Sequence, residues 1–218
     1  MSELPPAAAP AARKYSLALR IWHWANSFVV SALLTSIFVL FVVLKMKEVG
    51  PKFQEVLQKE GVTMSLEQIR GLTRIVSHKV WDWHIYFGVT LAVLLALRIV
   101  TEIAQARSQR FAHRLKQAKG QSAEGQPFRL QKSALVKYSY LAFYLMLVVM
   151  VVTGLGLIYA DDVPFLEELE HTIEEVHNFT MYLVMGFIVV HVVGVVWAEL
   201  HKDRGIVSDM INGGEPRT

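Results

Sequence analysis

The 218-residue sequence contains no cysteine. Without thiolates the chain cannot ligate an iron–sulfur cluster, attach a haem through a CxxCH motif or form a disulfide. The HxxxH and HExxH spacings that are typical of zinc sites are also missing. No basic patch of the kind that binds nucleic acid occurs, so nucleic acid is not expected as a partner. Any metal centre in this chain must use ligands other than cysteine.

Formal charge is nearly absent from four long apolar stretches, and 53% of all residues are hydrophobic. A helix needs about twenty residues to cross a hydrocarbon core that is ~30 Å thick. Period-two alternation is missing, which argues against a β-barrel. The sequence therefore predicts an all-α membrane protein, a bundle of four transmembrane helices. The predicted spans are Ile21–Leu44, about Val80–Ile103, Tyr138–Ala160 and Val176–Ala198.

The segments outside the spans divide the chain into three parts. Residues 1–19 are rich in proline and alanine and are predicted to be a disordered cytoplasmic N-terminus. Residues 20–204 form the transmembrane domain, and residues 205–218 a cytoplasmic C-terminal tail. The first span is longer than a signal-peptide core and no clear cleavage site follows it, so we expect it to be retained. Two connecting sequences are interpretable: SLEQIR at 65–70 can start a short surface helix, and KGQSAEGQ at 119–126 is typical of a flexible connector.

Charge in the connecting segments predicts the orientation. The segment Ala104–Lys137 carries eight lysines and arginines against one glutamate, and is expected in the cytoplasm. The segment Asp161–Glu175 carries seven carboxylates with no lysine or arginine, and is expected outside. The longer outer segment, Lys45–Lys79, is mixed in charge. The chain is thus predicted to be a multi-pass protein of the inner (cytoplasmic) membrane with both termini in the cytoplasm.

Four histidines in the spans can be matched in depth. In this orientation His84 and His177 lie near the outer face and His23 near the inner face. His191 follows His177 by fourteen residues, which is about 21 Å along a helix and only about 40° short of four full turns. Both imidazoles of the fourth span therefore point to nearly the same side. The predicted pairs are His84 with His177 outside and His23 with His191 inside.

Two bis-histidine haems, one per pair, explain this pattern best. Haem iron accepts axial imidazoles, and ionisable groups inside spans are functional candidates. The alternative is that the histidines only reach toward the interface or hydrogen-bond between helices, in a haem-free anchor or transporter. The remaining histidines are weaker candidates: His78 faces away from His84, and the others are expected to be solvated, namely His113, His171 and His201.

Two further residues are candidate cofactor contacts. Arg20 lies near the expected level of the inner haem and can pair with a propionate, although an ordinary interfacial charge would occupy the same place. Gly88 follows His84 by four residues on the same helical face. It can allow a porphyrin to approach, or it can serve close helix packing alone.

Six segments carry a resemblance to a known family, which covers most of the chain from about Tyr15 to Gly214. The sequence resembles the b-type cytochrome subunit of membrane-bound nickel–iron hydrogenases, in a superfamily that includes the cytochrome b subunits of formate dehydrogenase and thiosulfate reductase. The segments are RIWHW at 20–24, HIYFG at 84–88 with LLALRI at 94–99, VTGLGLI at 152–158, HNFTMYLVMGFIVVH at 177–191 and GIVSDMINGG at 205–214.

The resemblance implies a four-helix bundle holding two haems b, with His23, His84, His177 and His191 as the axial ligands. It also implies an electron-transfer subunit rather than an enzyme by itself. Its expected partners are the lipid bilayer, quinone and a peripheral oxidoreductase, in the first place a hydrogenase with an iron–sulfur small subunit. Two alternatives remain open: a stand-alone transmembrane haem electron carrier, and the cytochrome b subunit of a complex of the formate dehydrogenase type.

Overall fold

Helices are the only regular elements in the part of the chain that the structure describes. The computed structural model describes residues 15–104, 127–201 and 204–214. The elements are α1 (Leu17–Phe38), which continues into a π-helical turn (Val39–Val43), α2 (Met46–Lys59), α3 (Leu66–Ala104), α4 (Pro127–Ile158), α5 (Pro164–His201) and α6 (Ile206–Asn212).

Four of these segments are long and apolar enough to cross a membrane. They are Leu17–Val43, Leu66–Ala104, Tyr138–Ile158 and Pro164–His201. Helices satisfy their backbone hydrogen bonds internally, which lipid requires of any spanning segment. The prediction of an all-α, multi-pass membrane protein with four transmembrane helices is confirmed.

Two of the spanning helices are longer than the sequence predicts. α3 has 39 residues and begins at Leu66 rather than near Val80. α5 has 38 residues and begins at Pro164 rather than near Val176. At 1.5 Å per residue each helix is about 57 Å long, nearly twice the hydrocarbon thickness. The segments Lys45–Lys79 and Asp161–Glu175, predicted as loops, are therefore largely helical, because hydropathy marks only the part of a helix that contacts lipid.

A capping box starts α3. The Ser65 N–H donates to Gln68 Oε1 at 2.8 Å, and the Gln68 N–H donates to Ser65 Oγ at 3.2 Å. This reciprocal pair satisfies two backbone donors that the first helical turn leaves open. The segment 65–70 does start a helix as predicted, but that helix continues into the second span. Ile69 has no exposed surface, and α2 packs against α3 in this part of the protein.

The predicted terminal segments contain helix. Within residues 1–19 only 15–19 are described, and α1 begins there at Leu17. The predicted tail, 205–218, contains α6. The Glu199 carboxylate accepts hydrogen bonds from the N–H groups of Gly205 at 2.8 Å and Val207 at 3.2 Å, and so caps α6. The predicted connector at 119–126 lies outside the described residues.

The chain divides into two compact units, Asn26–Val184 and residues 1–25 with 185–218. Inside the first unit α3 packs against α4, and Leu91 of α3 and Leu147 of α4 are buried. The Arg98 Nε–H of α3 donates to the hydroxyl of Tyr144 in α4 at 3.1 Å. Apolar packing and this hydrogen bond therefore help to hold the two helices together.

Replacing Leu147 with alanine is expected to destabilise the first unit. Leu147 is 1% exposed, and truncating a buried leucine costs about 2–5 kcal/mol. Leu145, on the same helix, is 64% exposed and provides the matched control, for which a change within about 0.5 kcal/mol is expected. Thermal or denaturant unfolding of the purified protein in detergent measures both. Equal effects of Leu147→Ala and Leu145→Ala would contradict the burial seen here.

Candidate haem sites

The imidazole of His84 in α3 is held by a serine of α1. His84 Nδ1 lies 2.8 Å from Ser36 Oγ. A hydroxyl has one hydrogen, and Ser36 donates it to the carbonyl oxygen of Leu33 at 2.7 Å. In this arrangement Ser36 accepts from His84 Nδ1, and the lone pair of the imidazole is on Nε2.

A threonine holds His177 of α5 in the same way. His177 Nδ1 lies 2.9 Å from Thr153 Oγ1 on α4. Thr153 donates its single hydrogen to its own helix, most closely to the carbonyl oxygen of Val149 at 2.6 Å. In this arrangement His177 donates from Nδ1 to Thr153, and the lone pair of this second imidazole is also on Nε2.

With Nδ1 donating to the hydroxyl, both imidazoles have the form that a metal ion requires. A histidine ligand is neutral, coordinates through one nitrogen and usually donates its other N–H to a fixed acceptor. The hydrogen bonds of His84 and His177 run between helices, as the haem-free alternative expects, but the bonds use Nδ1 and leave Nε2 available. Sequence reasoning did not single out Ser36 or Thr153, because an isolated hydroxyl in an apolar stretch has no distinguishing spacing.

Gly154 lets α4 approach the ring of His177. A Cβ placed on Gly154 would lie 3.3 Å from His177 Cε1, closer than most real contacts of a Cβ atom. Cε1 is the ring atom between the two nitrogens, so a side chain here would press on the imidazole next to its coordinating edge. The glycine thus preserves the position that the Thr153 hydrogen bond defines.

A small apolar gap of about 30 Å³ lies among the helices of the first unit. Its lining includes residues one to two helical turns beyond the histidines, since Met181 follows His177 by four positions and Leu91 follows His84 by seven. No polar side chain lines it. Its lining residues are Val30, Leu33, Leu34, Leu91, Leu147, Met150, Met181 and Val184.

His23 and His191 form the second pair, in the other unit. Their ring centroids are 6.3 Å apart and their planes are inclined by 64°. A bond between a metal ion and an imidazole nitrogen is about 2 Å long, so two imidazoles on opposite sides of one metal have centroids about 6 Å apart. The spacing of this pair is therefore compatible with a shared iron. The structure brings together the two histidines that depth matching paired.

Aromatic rings, rather than hydroxyl groups, surround the second pair. Trp24 meets His23 edge-on at 5.5 Å between centroids, and Phe187 stacks on His191 at 6.0 Å with the planes 7° apart. Among the described residues, neither imidazole of this pair has a hydrogen-bond partner on a ring nitrogen. The two pairs thus differ in how their rings are oriented.

Arg20 lies one turn before His23 and is only 8% exposed. One terminal nitrogen of its guanidinium donates to the carbonyl oxygen of Ile211 in α6, while Nε has no partner among the described residues. The indole N–H of Trp24 donates to the carbonyl oxygen of Met210 at 3.3 Å, so α6 is tied to α1 at two points. A buried guanidinium with an unsatisfied donor fits a carboxylate such as a propionate.

Gly88 and the remaining histidines complete the predicted set. A Cβ on Gly88 would meet no described atom within 4 Å, so no neighbouring backbone packs on it and space beside it is open. His78, His171 and His201 are exposed, and His113 lies outside the described residues. In the described ranges no three histidine or carboxylate side chains converge on one point. A pair of imidazoles suits a porphyrin, which brings the other four ligands itself.

These features define a multi-pass helical membrane protein with two histidine pairs suited to haem iron. Residues 14–213 match the family described as prokaryotic cytochrome b561. The chain therefore belongs to the prokaryotic cytochrome b561 family, and the protein is a b-type cytochrome, a membrane electron carrier that uses haem b. No curated protein matches the chain, and no solved structure matches it either.

Alanine at position 154 is expected to weaken haem binding at His177. The new Cβ would displace the imidazole by a few tenths of an ångström, and disturbances of this kind around a ligand cost about 10- to 100-fold in metal affinity. Gly156→Ala is the matched control, because its Cβ would make ordinary contacts of 3.5 and 3.6 Å with Ile173. Haem content per chain, measured after purification, is expected to fall only for Gly154→Ala. Equal retention in both variants would contradict the close approach described here.

Proposed function

We propose that this cytochrome holds two haems b and conducts electrons across the inner membrane, between a peripheral oxidoreductase and the quinone pool. The observation that carries the proposal is that Nδ1 of both His84 and His177 lies within hydrogen-bond distance of a hydroxyl oxygen, at 2.8 and 2.9 Å, so that Nε2 of both rings is left for iron. A metal ligand would need the same nitrogen to be engaged in both rings, whereas a structural hydrogen bond between helices would not. The close pair His23 and His191 supplies the second site.

Each side chain has a defined task in this proposal. The four histidines bind iron, and Arg20 pairs with a propionate near His23. Gly88 leaves room for the porphyrin beside His84, where no described atom would meet its Cβ. When bound, haem supplies reversible one-electron oxidation and reduction of its iron. The apolar helices exclude water and hold the ligands in place.

The charges outside the spans support electron transfer from the outer side of the membrane toward the cytoplasm. The carboxylates of 161–175, which precede His177 in the chain, are exposed and favour the outer side. Electron donation from that side would move negative charge toward the cytoplasm. A full crossing works against a membrane potential by about 2.3 kcal/mol per 100 mV. The donor reaction must therefore release at least this much, and the work done against the potential is the part that is stored.

The partner we propose is a nickel–iron hydrogenase that docks through an iron–sulfur small subunit. Its support is the set of segments that resemble hydrogenase cytochromes, above all RIWHW at 20–24 and GIVSDMINGG at 205–214. In the structure these two segments meet, since Arg20 and Trp24 both donate to carbonyl groups of α6. The alternatives are that the chain is a subunit of a formate dehydrogenase-type complex or that it is a stand-alone haem carrier.

Single histidine replacements are expected to remove the haems pairwise. His84→Ala and His177→Ala should lose the same haem, and His23→Ala and His191→Ala the other. Pyridine haemochrome assays and reduced-minus-oxidised spectra measure this, with two haems b per chain expected in the unaltered protein. His171→Ala is the control, because His171 is exposed and pairs with Glu175 at 3.4 Å. Loss of one common haem from His84→Ala and His23→Ala would overturn the pairing.

Purification of the tagged full-length chain in mild detergent tests the partner. We expect a subunit carrying iron–sulfur clusters to remain bound and to reduce the cytochrome when hydrogen is supplied. Formate-dependent reduction would replace the hydrogenase by a formate dehydrogenase-type partner. A cytochrome that purifies alone and is fully active with quinol would contradict a docked oxidoreductase and favour the stand-alone carrier.

A further inference from the structure

The two histidine pairs differ in what their Nδ1 atoms contact. We propose that Ser36 and Thr153 are positioning residues that give the His84–His177 haem the lower reduction potential of the two. This inference rests on the proposed function, because it presupposes a haem at each pair. It adds that transfer of an electron from the His84–His177 haem to the haem at His23 and His191 is energetically favourable.

Both hydroxyls can act as acceptors toward the imidazoles. Ser36 is buried and also contacts the carbonyl oxygen of Leu33, and Thr153 that of Val149, so that each hydroxyl hydrogen has an acceptor within its own helix. A neutral imidazole that binds iron through Nε2 carries its proton on Nδ1. With haem bound, His84 and His177 would therefore donate to the hydroxyl oxygens that lie 2.8 and 2.9 Å away.

A hydrogen bond from the Nδ1 proton changes how much electron density the imidazole donates to iron. Donating that proton to an oxygen places more negative charge on the ring, which makes the ring a more basic ligand. A more basic ligand stabilises ferric over ferrous iron, and hydrogen bonding around the ligands is one of the means by which proteins set haem potentials. The arrangement at His84 and His177 consequently favours the oxidised state.

The second pair has the opposite features. His23 and His191 have ring contacts with Trp24 and Phe187 but no described acceptor on a nitrogen. Arg20 adds a buried positive charge one turn from His23. A fixed positive charge stabilises the state with one more electron. Both differences make reduction easier at His23 and His191.

The resulting step is a transfer of one electron. His84 and His177 would hold the haem that gives up the electron and His23 and His191 the haem that accepts it, and no bond would be formed or broken. The electron originates from the peripheral oxidoreductase and leaves to a quinone. The difference in potential offsets part of the work against the membrane potential described above.

Redox potentiometry of the full-length cytochrome, followed at the haem absorption bands, tests the proposal. The unaltered protein should titrate as two components, and His84→Ala should remove the lower one. Ser36→Ala and Thr153→Val should each raise the lower component by about 59 mV, which is a tenfold change for a one-electron couple. The higher component should not move. Thr153→Val preserves side-chain shape and so reports the hydrogen bond even if Ser36→Ala loses haem.

Controls separate the hydroxyl contact from general packing. Thr180→Val removes a buried hydroxyl that donates to Val176 and contacts no histidine, and should leave both potentials unchanged. Ser36→Thr and Thr153→Ser retain the acceptor and should restore the original value. If both reduction potentials are unchanged in Ser36→Ala and Thr153→Val, this inference is overturned while the proposed function stands. A protein without two haems would overturn the proposed function instead.

Discussion

The absence of water from the bilayer core is the constraint on which the structure depends. Every polar group that enters it must find its partner within the protein. This forces the backbone into helices, and it also determines the behaviour of the few hydroxyls in the spans. Thr90, Thr153 and Thr180 each donate to a carbonyl four residues earlier in their own helix. While a hydroxyl donates its hydrogen to a carbonyl oxygen in this way, it can act toward a neighbouring side chain only as an acceptor.

Because of that restriction, a serine or threonine next to a histidine can serve as a hydrogen-bond acceptor for the imidazole. Thr90 and Thr180 satisfy themselves and have no further contact with a histidine, whereas Ser36 and Thr153 lie where an imidazole reaches them. The imidazoles of His84 and His177 are thus oriented by hydroxyl groups rather than by a carboxylate. A carboxylate would hold an imidazole more strongly, but it would also bring a charge into the hydrocarbon at considerable cost. A neutral hydroxyl orients the ring without that cost.

The sequence predicts the spans and the pairing because both follow from regular helix geometry. Apolar length identifies four helices, and the fourteen residues between His177 and His191 give two positions on one face. The polar N-terminal parts of α3 and α5 were not predicted as parts of the spanning helices, because a helix outside the lipid has no hydropathy signal. The Ser65–Gln68 capping box nevertheless marked the start of α3. The roles of Ser36, Thr153 and Gly154 depend on which helices become neighbours. That depends on packing between distant parts of the chain, which no local pattern contains.

α4 is the one spanning helix without a histidine, yet it forms one wall of the His177 site through Thr153 and Gly154. Positions 153 and 154 therefore act on the ring of His177 although neither side chain can bind a metal. The identity of a ligand and the orientation of that ligand are specified by different helices, so substitutions in α4 can change the imidazole while every histidine is retained.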